Sequence, residues 1–255
     1  MPAYEFSTGP DGQAVFRKYT TAAPDPRFHA EAEGLAALAA SGTVRTPAVV
    51  AVDDRELLTE RIPPGSPTPQ GWGTLGRQLG KLHTLTENCF GFTTDNFCGD
   101  TPQPNPRLND GYEFFARHRL GYQGRLARDA GLLEPAQVQA LEQLCGRLRE
   151  LVPEQGPALL HGDLWNGNVL FDESGRPVVI DPACYWGWPE ADVAMCALFG
   201  GFPEHFYQAW EETWQPAPGW RERLPIYSLY HVLNHLNLFG SGYRAQALAV
   251  IGRYS

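Results

Sequence analysis

A run of chain-breaking residues, Ile62-Pro63-Pro64-Gly65-Ser66-Pro67, divides the sequence into two kinds of text. Before it the pattern is short and sheet-like. Tyr4-Glu5-Phe6 and Ala14-Val15-Phe16-Arg17-Lys18-Tyr19 flank Pro10-Asp11-Gly12, where Pro presets φ and Gly tolerates a positive one, so a hairpin is predicted. Past the Pro24-Asp25-Pro26 breaker, Phe28, Ala32, Leu35 and Leu38 recur at helical spacing up to Ser41-Gly42, which places Glu31 on a helix. Val49–Val52 and Glu56–Thr59 read as two more strands. Residues 1–64 are therefore expected to form a small antiparallel lobe with one helix, and 65–255 a larger, mostly helical lobe, an α+β architecture.

The second part supports that division. Leu75, Leu79, Leu82 and Leu85 fit one helix, Tyr112 to Ala130 a second, and Val138, Leu141, Leu144, Leu148 and Leu151 a third. Between Asn168 and Ile180 the helical text is interrupted by Val169-Leu170-Phe171, a Glu-Ser-Gly-Arg turn and Val178-Val179-Ile180, a second hairpin. Helical pattern resumes at Glu190.

Composition excludes several function classes. A chain of 255 residues, 43% of them hydrophobic, can build a core without metal or disulfide staples. Five cysteines with no C-x-x-C pair suggest reduced thiols and a cytoplasmic protein. The first residues lack a basic and then apolar leader, and no run approaches a membrane span, so no membrane partner is expected. A net charge of −9 leaves no broad basic field for nucleic acid.

Chemistry concentrates in His161-Gly162-Asp163-Leu164-Trp165-Asn166-Gly167-Asn168 and in Asp181-Pro182-Ala183. Asp163 and Asn168 stand in the D-x-x-x-x-N spacing of a kinase catalytic loop, and Asp181 closes the hairpin that Asn168 opens. Because a hairpin returns the chain to its start, Asn168 and Asp181 are placed to share one cation. Magnesium suits such hard oxygen donors. Asp163 is then free to accept the proton of an attacking hydroxyl. Lys18 on a strand and Glu31 on the next helix fit the ion pair that aims an ammonium at nucleotide phosphates. Alone, a strand Lys or a helix Glu is ordinary solvated surface, and a His-Gly-Asp can be a simple turn. Together the five residues are hard to obtain by accident. His161 is read as shaping the loop, and Asp192 as capping a helix or tying that loop down.

The strings Leu-Leu-His-Gly-Asp-Leu-Trp-Asn-Gly-Asn (159–168), Ile-Asp-Pro-Ala (180–183) and Phe199-Gly200-Gly201-Phe202, with the stretch from Tyr230 to Arg244, resemble the fructosamine kinase (ketosamine-3-kinase) family over nearly the whole chain. The resemblance implies a two-lobed protein-kinase-like fold, ATP and magnesium, and phosphorylation of the 3-hydroxyl of ketosamines, free or protein-bound, in deglycation repair. It assigns Asp163 as the base, Asn168 and Asp181 to the metal, Lys18 and Glu31 to the phosphates, and Thr59-Glu60-Arg61-Ile62 to a hinge that meets adenine, with Glu60 and Ile62 as contacts.

One departure accompanies it. A strand and glycine-bearing phosphate loop precede this region in the family, whereas Ser7–Gly12 reads as a turn between the next two strands, so that loop is expected to be missing. On the acceptor side, Trp165, two residues from Asp163, is a candidate stacking surface. Asn234 and His235 either line the acceptor pocket or are satisfied in the core. Two other readings remain open: a kinase for another acceptor such as an aminoglycoside or choline, and a catalytically weak nucleotide-binding module.

Overall fold

The computed structural model describes residues 2–255. Strands β1 (Ala3–Thr8) and β2 (Ala14–Tyr19) pair antiparallel, with Tyr4 opposite Lys18 and Phe6 opposite Phe16. The Ser7–Gly12 run makes their turn, closed by the Gly9 N–H donating to Gln13 O. Helix α1 (Arg27–Ala40) buries the predicted stripe of Phe28, Ala32, Leu35 and Leu38. Strands β3 (Val49–Val52) and β4 (Glu56–Glu60) complete a sheet of order β1-β2-β4-β3. Lys18 and Glu31 thus project from neighbouring elements of the small lobe.

Helix α2 (Pro69–Leu82) opens the larger lobe with a capped start, the Thr68 hydroxyl accepting from the Gly71 N–H. Its glycines allow an unusually close neighbour. A Cβ on Gly76 would stand 2.2 Å from the Phe206 carbonyl oxygen, and one on Gly80 2.6 Å from Thr213 Cβ.

Several elements differ from the sequence pattern. Two three-residue hairpin strands, β5 (Asn96–Cys98) and β6 (Thr101–Gln103), are too short to show alternation. The predicted 112–130 helix is α3 (Gly111–Phe115) and α4 (Gly121–Asp129) joined by one widened turn at Ala116–Leu120. The 138–151 stripe spans α5 (Pro135–Gly146) and α6 (Leu148–Leu151), which part at Arg147. Strand β7 (Ala158–Leu160) leads into the His161 loop, and β8 (Val169–Phe171) and β9 (Pro177–Val179) form the predicted second hairpin. Strand β10 (Tyr185–Gly187) pairs with β7 across 25 or more residues of chain, a pairing with no local signal. Helices α7 (Pro189–Ala197), α8 (Glu204–Trp214), α9 (Trp220–Phe239) and α10 (Arg244–Tyr254) complete the fold. The molecule is α+β, a small antiparallel lobe on a helical one. Among the described residues no helix is long and apolar enough to cross a membrane.

Candidate active site

The His161 loop is fixed from behind. Asp192 of α7 accepts the His161 N–H at 2.7 Å and the Gly162 N–H at 2.8 Å, and its carboxylate lies 3.3 Å from His83 Nε2. Burial alone would raise the pKa of Asp192, but His83 and these donors hold it below the ordinary carboxylate range. His161 Nε2 donates to the Ile180 carbonyl at 2.9 Å, and its Nδ1 accepts the Asp163 N–H at 3.2 Å, so one neutral tautomer joins the loop to the end of β9. Gly162 carries φ +83°, and a Cβ there would meet the Ala183 carbonyl oxygen at 2.0 Å. Asp163 thereby leaves a rigid turn.

Asn168 spends its amide nitrogen on Asp163, 2.8 Å from the backbone carbonyl and 3.3 Å from Oδ2, which leaves its amide oxygen for other work. Val169 faces Val179 across the hairpin and the Ile180 N–H donates to Asn168 O at 3.1 Å, so Asn168 and Asp181 stand side by side at its open end. Asp181 adopts a left-handed backbone, φ +54°. Its Oδ1 lies 2.6 Å from Lys18 Nζ, which also bonds both Glu31 oxygens at 2.8 and 2.9 Å.

Crowded carboxylates in a half-closed cleft shift one another. Burial, then the Asp181 charge, pushes Asp163 up to about 7. Burial and Asp181 likewise push Glu31 up to about 7, against the pull of Lys18. Lys18 is raised because Glu31 and Asp181 outweigh its burial. Its ammonium is thus firmly charged.

Two cavities meet at these residues. One, about 260 Å³, is an apolar slot between Phe6, Leu35, Ile62, Leu170 and Ile180, with Thr59 and Glu60 on its rim. The Glu60 carboxylate turns to Arg45 and the Ala48 N–H. The other, about 350 Å³, is the more polar of the two, with Asp163, Trp165, Asn168 and Asp100 in its lining. Lys18, Glu31 and Asp181 border both.

The remaining candidates separate. Trp165 is on the cleft wall, 37% exposed, with Phe199 edge-on at 6.3 Å. His235 packs on Phe199 at 4.7 Å and donates from Nδ1 to the His231 carbonyl, outside the cavity lining. Asn234 is buried, accepting from Gln123 Nε2 at 3.2 Å and donating to the Cys98 carbonyl at 3.1 Å, so its amide is committed within the core. Sequence reasoning missed a buried polar framework beneath the site. Gln103 Nε2 donates to Asn96 Oδ1 and the Ala183 carbonyl, Tyr230 donates to Gln103, and Arg119 holds Asn105. Such residues look like loop surface in the sequence, and only their burial distinguishes them.

A small sheet lobe over a helical lobe, with an acidic loop and hairpin facing a strand lysine, defines a protein-kinase-like phosphotransferase. The fold of the streptomycin-ATP-APH(2")-IIa ternary complex is the same, with TM-score 0.63 at 14% identity, covering 98% of this chain and 91% of that one. Far nearer is the crystal structure assigned as a fructosamine-3-kinase from Thermobifida fusca: TM-score 0.89, 36% identity, 99% of this chain and 92% of that one. Residues 3–254 match the fructosamine kinase family, and the chain belongs to it. It is 37% identical to the chloroplastic protein-ribulosamine 3-kinase of Arabidopsis thaliana over 96% of its own length and 77% of the relative's. A Synechocystis protein assigned as a ketoamine kinase is 42% identical over 92% of this chain and 81% of that one. As a member of this family the protein is a kinase that uses ATP.

Proposed function

We propose that the protein transfers the γ-phosphoryl group of ATP to the 3-hydroxyl of ketosamines, the ribulosamine or fructosamine adducts of small amines or proteins. The observation that carries this reading is the meeting of an apolar slot and a polar cleft at Lys18, Glu31 and Asp181, with Asp163 and Asn168 alongside. The slot is shaped for a flat adenine, which the backbone at Glu60 and Ile62 would meet. Lys18, held by Glu31, is placed for the phosphates. The division between the lobes is placed at residues 64 and 65, and both cavities take lining residues from each side of it.

Asn168 Oδ1 and the Asp181 carboxylate form a hard oxygen pair that fits magnesium. Bound there, the ion would neutralise phosphoryl oxygens. Asp163 accepts the proton of the sugar hydroxyl as its oxygen attacks the γ-phosphorus and the bond to the leaving ADP oxygen breaks. A positioned base contributes about 10² to 10⁴ in rate. Trp165 offers the sugar a face, while Asp163 suits a cationic amine. The product carries phosphate β to the C2 carbonyl, where elimination frees the amine. Deglycation repair in the cytoplasm, where the five free thiols stay reduced, is the role this chemistry serves.

The test is ADP release with magnesium, ATP and a synthetic ribulosamine or fructosamine, with the phosphorylated position read by NMR. Turnover should require the adduct and fall about 10² to 10⁴-fold in Asp163→Asn. Undiminished turnover in that variant overturns the assignment of the base, and preference for an aminoglycoside or choline overturns the acceptor.

A further inference from the structure

Three side chains from distant parts of the chain converge beside the loop. Cys98 ends β5, Asp163 belongs to the loop, and His231 lies midway along α9. Cys98 Sγ is 3.8 Å from His231 Nδ1, and the same nitrogen is 3.8 Å from Asp163 Oδ1. All three donor atoms lie within 4.8 Å of one another, the one such grouping of three among the described residues. The nitrogen–carboxylate separation is too long for a direct hydrogen bond, which needs about 2.7–3.2 Å. It is close to the spacing of donors around a shared ion. Ligand atoms about 2.0–2.3 Å from a tetrahedral metal stand roughly 3.3–3.6 Å apart.

The donor types choose the ion. A thiolate, an imidazole nitrogen and one carboxylate oxygen favour zinc over magnesium or calcium, which take oxygen shells. The site is also supported from outside. Asn234, three residues after His231 on the same helix, donates to the Cys98 carbonyl and so fixes the cysteine against the histidine. Phe97 and Gly99, on either side of Cys98, line the polar cleft together with Asp163, so an ion would enter from that cleft and keep a position open towards it.

We propose that Cys98, His231 and Asp163 form a zinc-binding site, and that zinc held there inhibits the kinase by occupying the Asp163 oxygen. On binding, the Cys98 S–H bond is replaced by a sulfur–zinc bond and the proton leaves to solvent, with no change of oxidation state. The inhibitory part rests on the function proposed above; binding of the metal does not.

Metal-stripped protein titrated with zinc against a chromophoric chelator, and with cobalt as a spectroscopic stand-in, tests the site. Wild type should take up one tight equivalent and show thiolate-to-cobalt charge transfer. In Cys98→Ala the affinity should drop by more than about tenfold, the loss that even an outer-shell partner causes, and the charge-transfer band should vanish. Asp163→Asn, which keeps the thiol, should retain the band with weakened affinity. Zinc added to the magnesium–ATP assay should inhibit wild type far more strongly than Cys98→Ala, whose rate without zinc stays at the wild-type level. Cys98→Ser provides a second variant should the alanine protein melt early. Equal zinc uptake or equal inhibition in wild type and both Cys98 variants would overturn the proposal. Zinc bound through Cys98 by a protein that phosphorylates no ketosamine would uphold the site and sink the functional reading alone.

Discussion

Lys18 Nζ lies 2.6 Å from Asp181 Oδ1 across 163 residues of chain, while the same ammonium bonds both oxygens of Glu31. One cation thus fastens β2 to α1 and the small lobe to the hairpin. Lys18→Ala leaves two carboxylates crowded without their counter-ion. Because Asp181 is 43% exposed, the cost is held to about 1–3 kcal/mol, below that of a fully buried pair. A lowered melting temperature together with a kcat/KM for ATP reduced by about 10²-fold or more is expected, and wild-type kinetics in this variant would remove Lys18 from phosphate binding.

Gly162 has no room for a side chain. With φ +83° and the Ala183 oxygen 2.0 Å from a would-be Cβ, Gly162→Ala must shift the turn that carries Asp163. Circular dichroism melts should show a loss of about 1–3 kcal/mol or more, and turnover should fall further than stability at assay temperature explains.

Asp192 supplies a pH test of stability. Its folded-state pKa is lowered, since His83 and the loop N–H groups outweigh burial. A depressed carboxylate stabilises the fold above its unfolded value of about 3.9, and that contribution is lost as pH falls through the lower folded value. Melting curves from pH 6 down to pH 3 should therefore decline more steeply for wild type than for Asp192→Asn, which is weaker at pH 6. Parallel declines would show that the clamp on His161 and Gly162 does not depend on charge.

The apolar slot predicts a nucleotide-specific defect. Leu170 is only partly buried and faces that slot, so Leu170→Trp can fill it with little damage to the core. The KM for ATP should rise about tenfold or more, while kcat at saturating ATP and the KM for the ketosamine change little. An unchanged ATP KM would place adenine elsewhere.

Long periodic segments were legible because one buried stripe fixes a helix whatever surrounds it, as with Phe28, Ala32, Leu35 and Leu38 of α1. The neighbourhood of Asp163, Asn168 and Asp181 was legible for a different reason, since the two ends of a short hairpin must meet. What escaped was non-local. Strands β5, β6, β7 and β10 are three residues each, too short for alternation to show, and the β7–β10 pairing joins segments 25 or more residues apart. Arg147 interrupts a leucine stripe that continues in register on both sides, so periodicity alone could not place the break. Gln103, Asn105 and Arg119 read as solvated until the packing around Tyr230 and Tyr185 encloses them. His231 and Cys98 are 133 residues apart, and nothing in either local string announces the other.

Since the slot and the polar cleft share Lys18, Glu31 and Asp181 as a common wall, neither ligand can arrive without altering what the other meets. Under the proposed function, phosphates that draw Lys18 away would uncover Asp181 for a cation, and an aminated sugar on the opposite side would offset the negative charge that the phosphates bring. Each guest makes the chamber more hospitable to its counterpart, and the pair should bind with positive cooperativity.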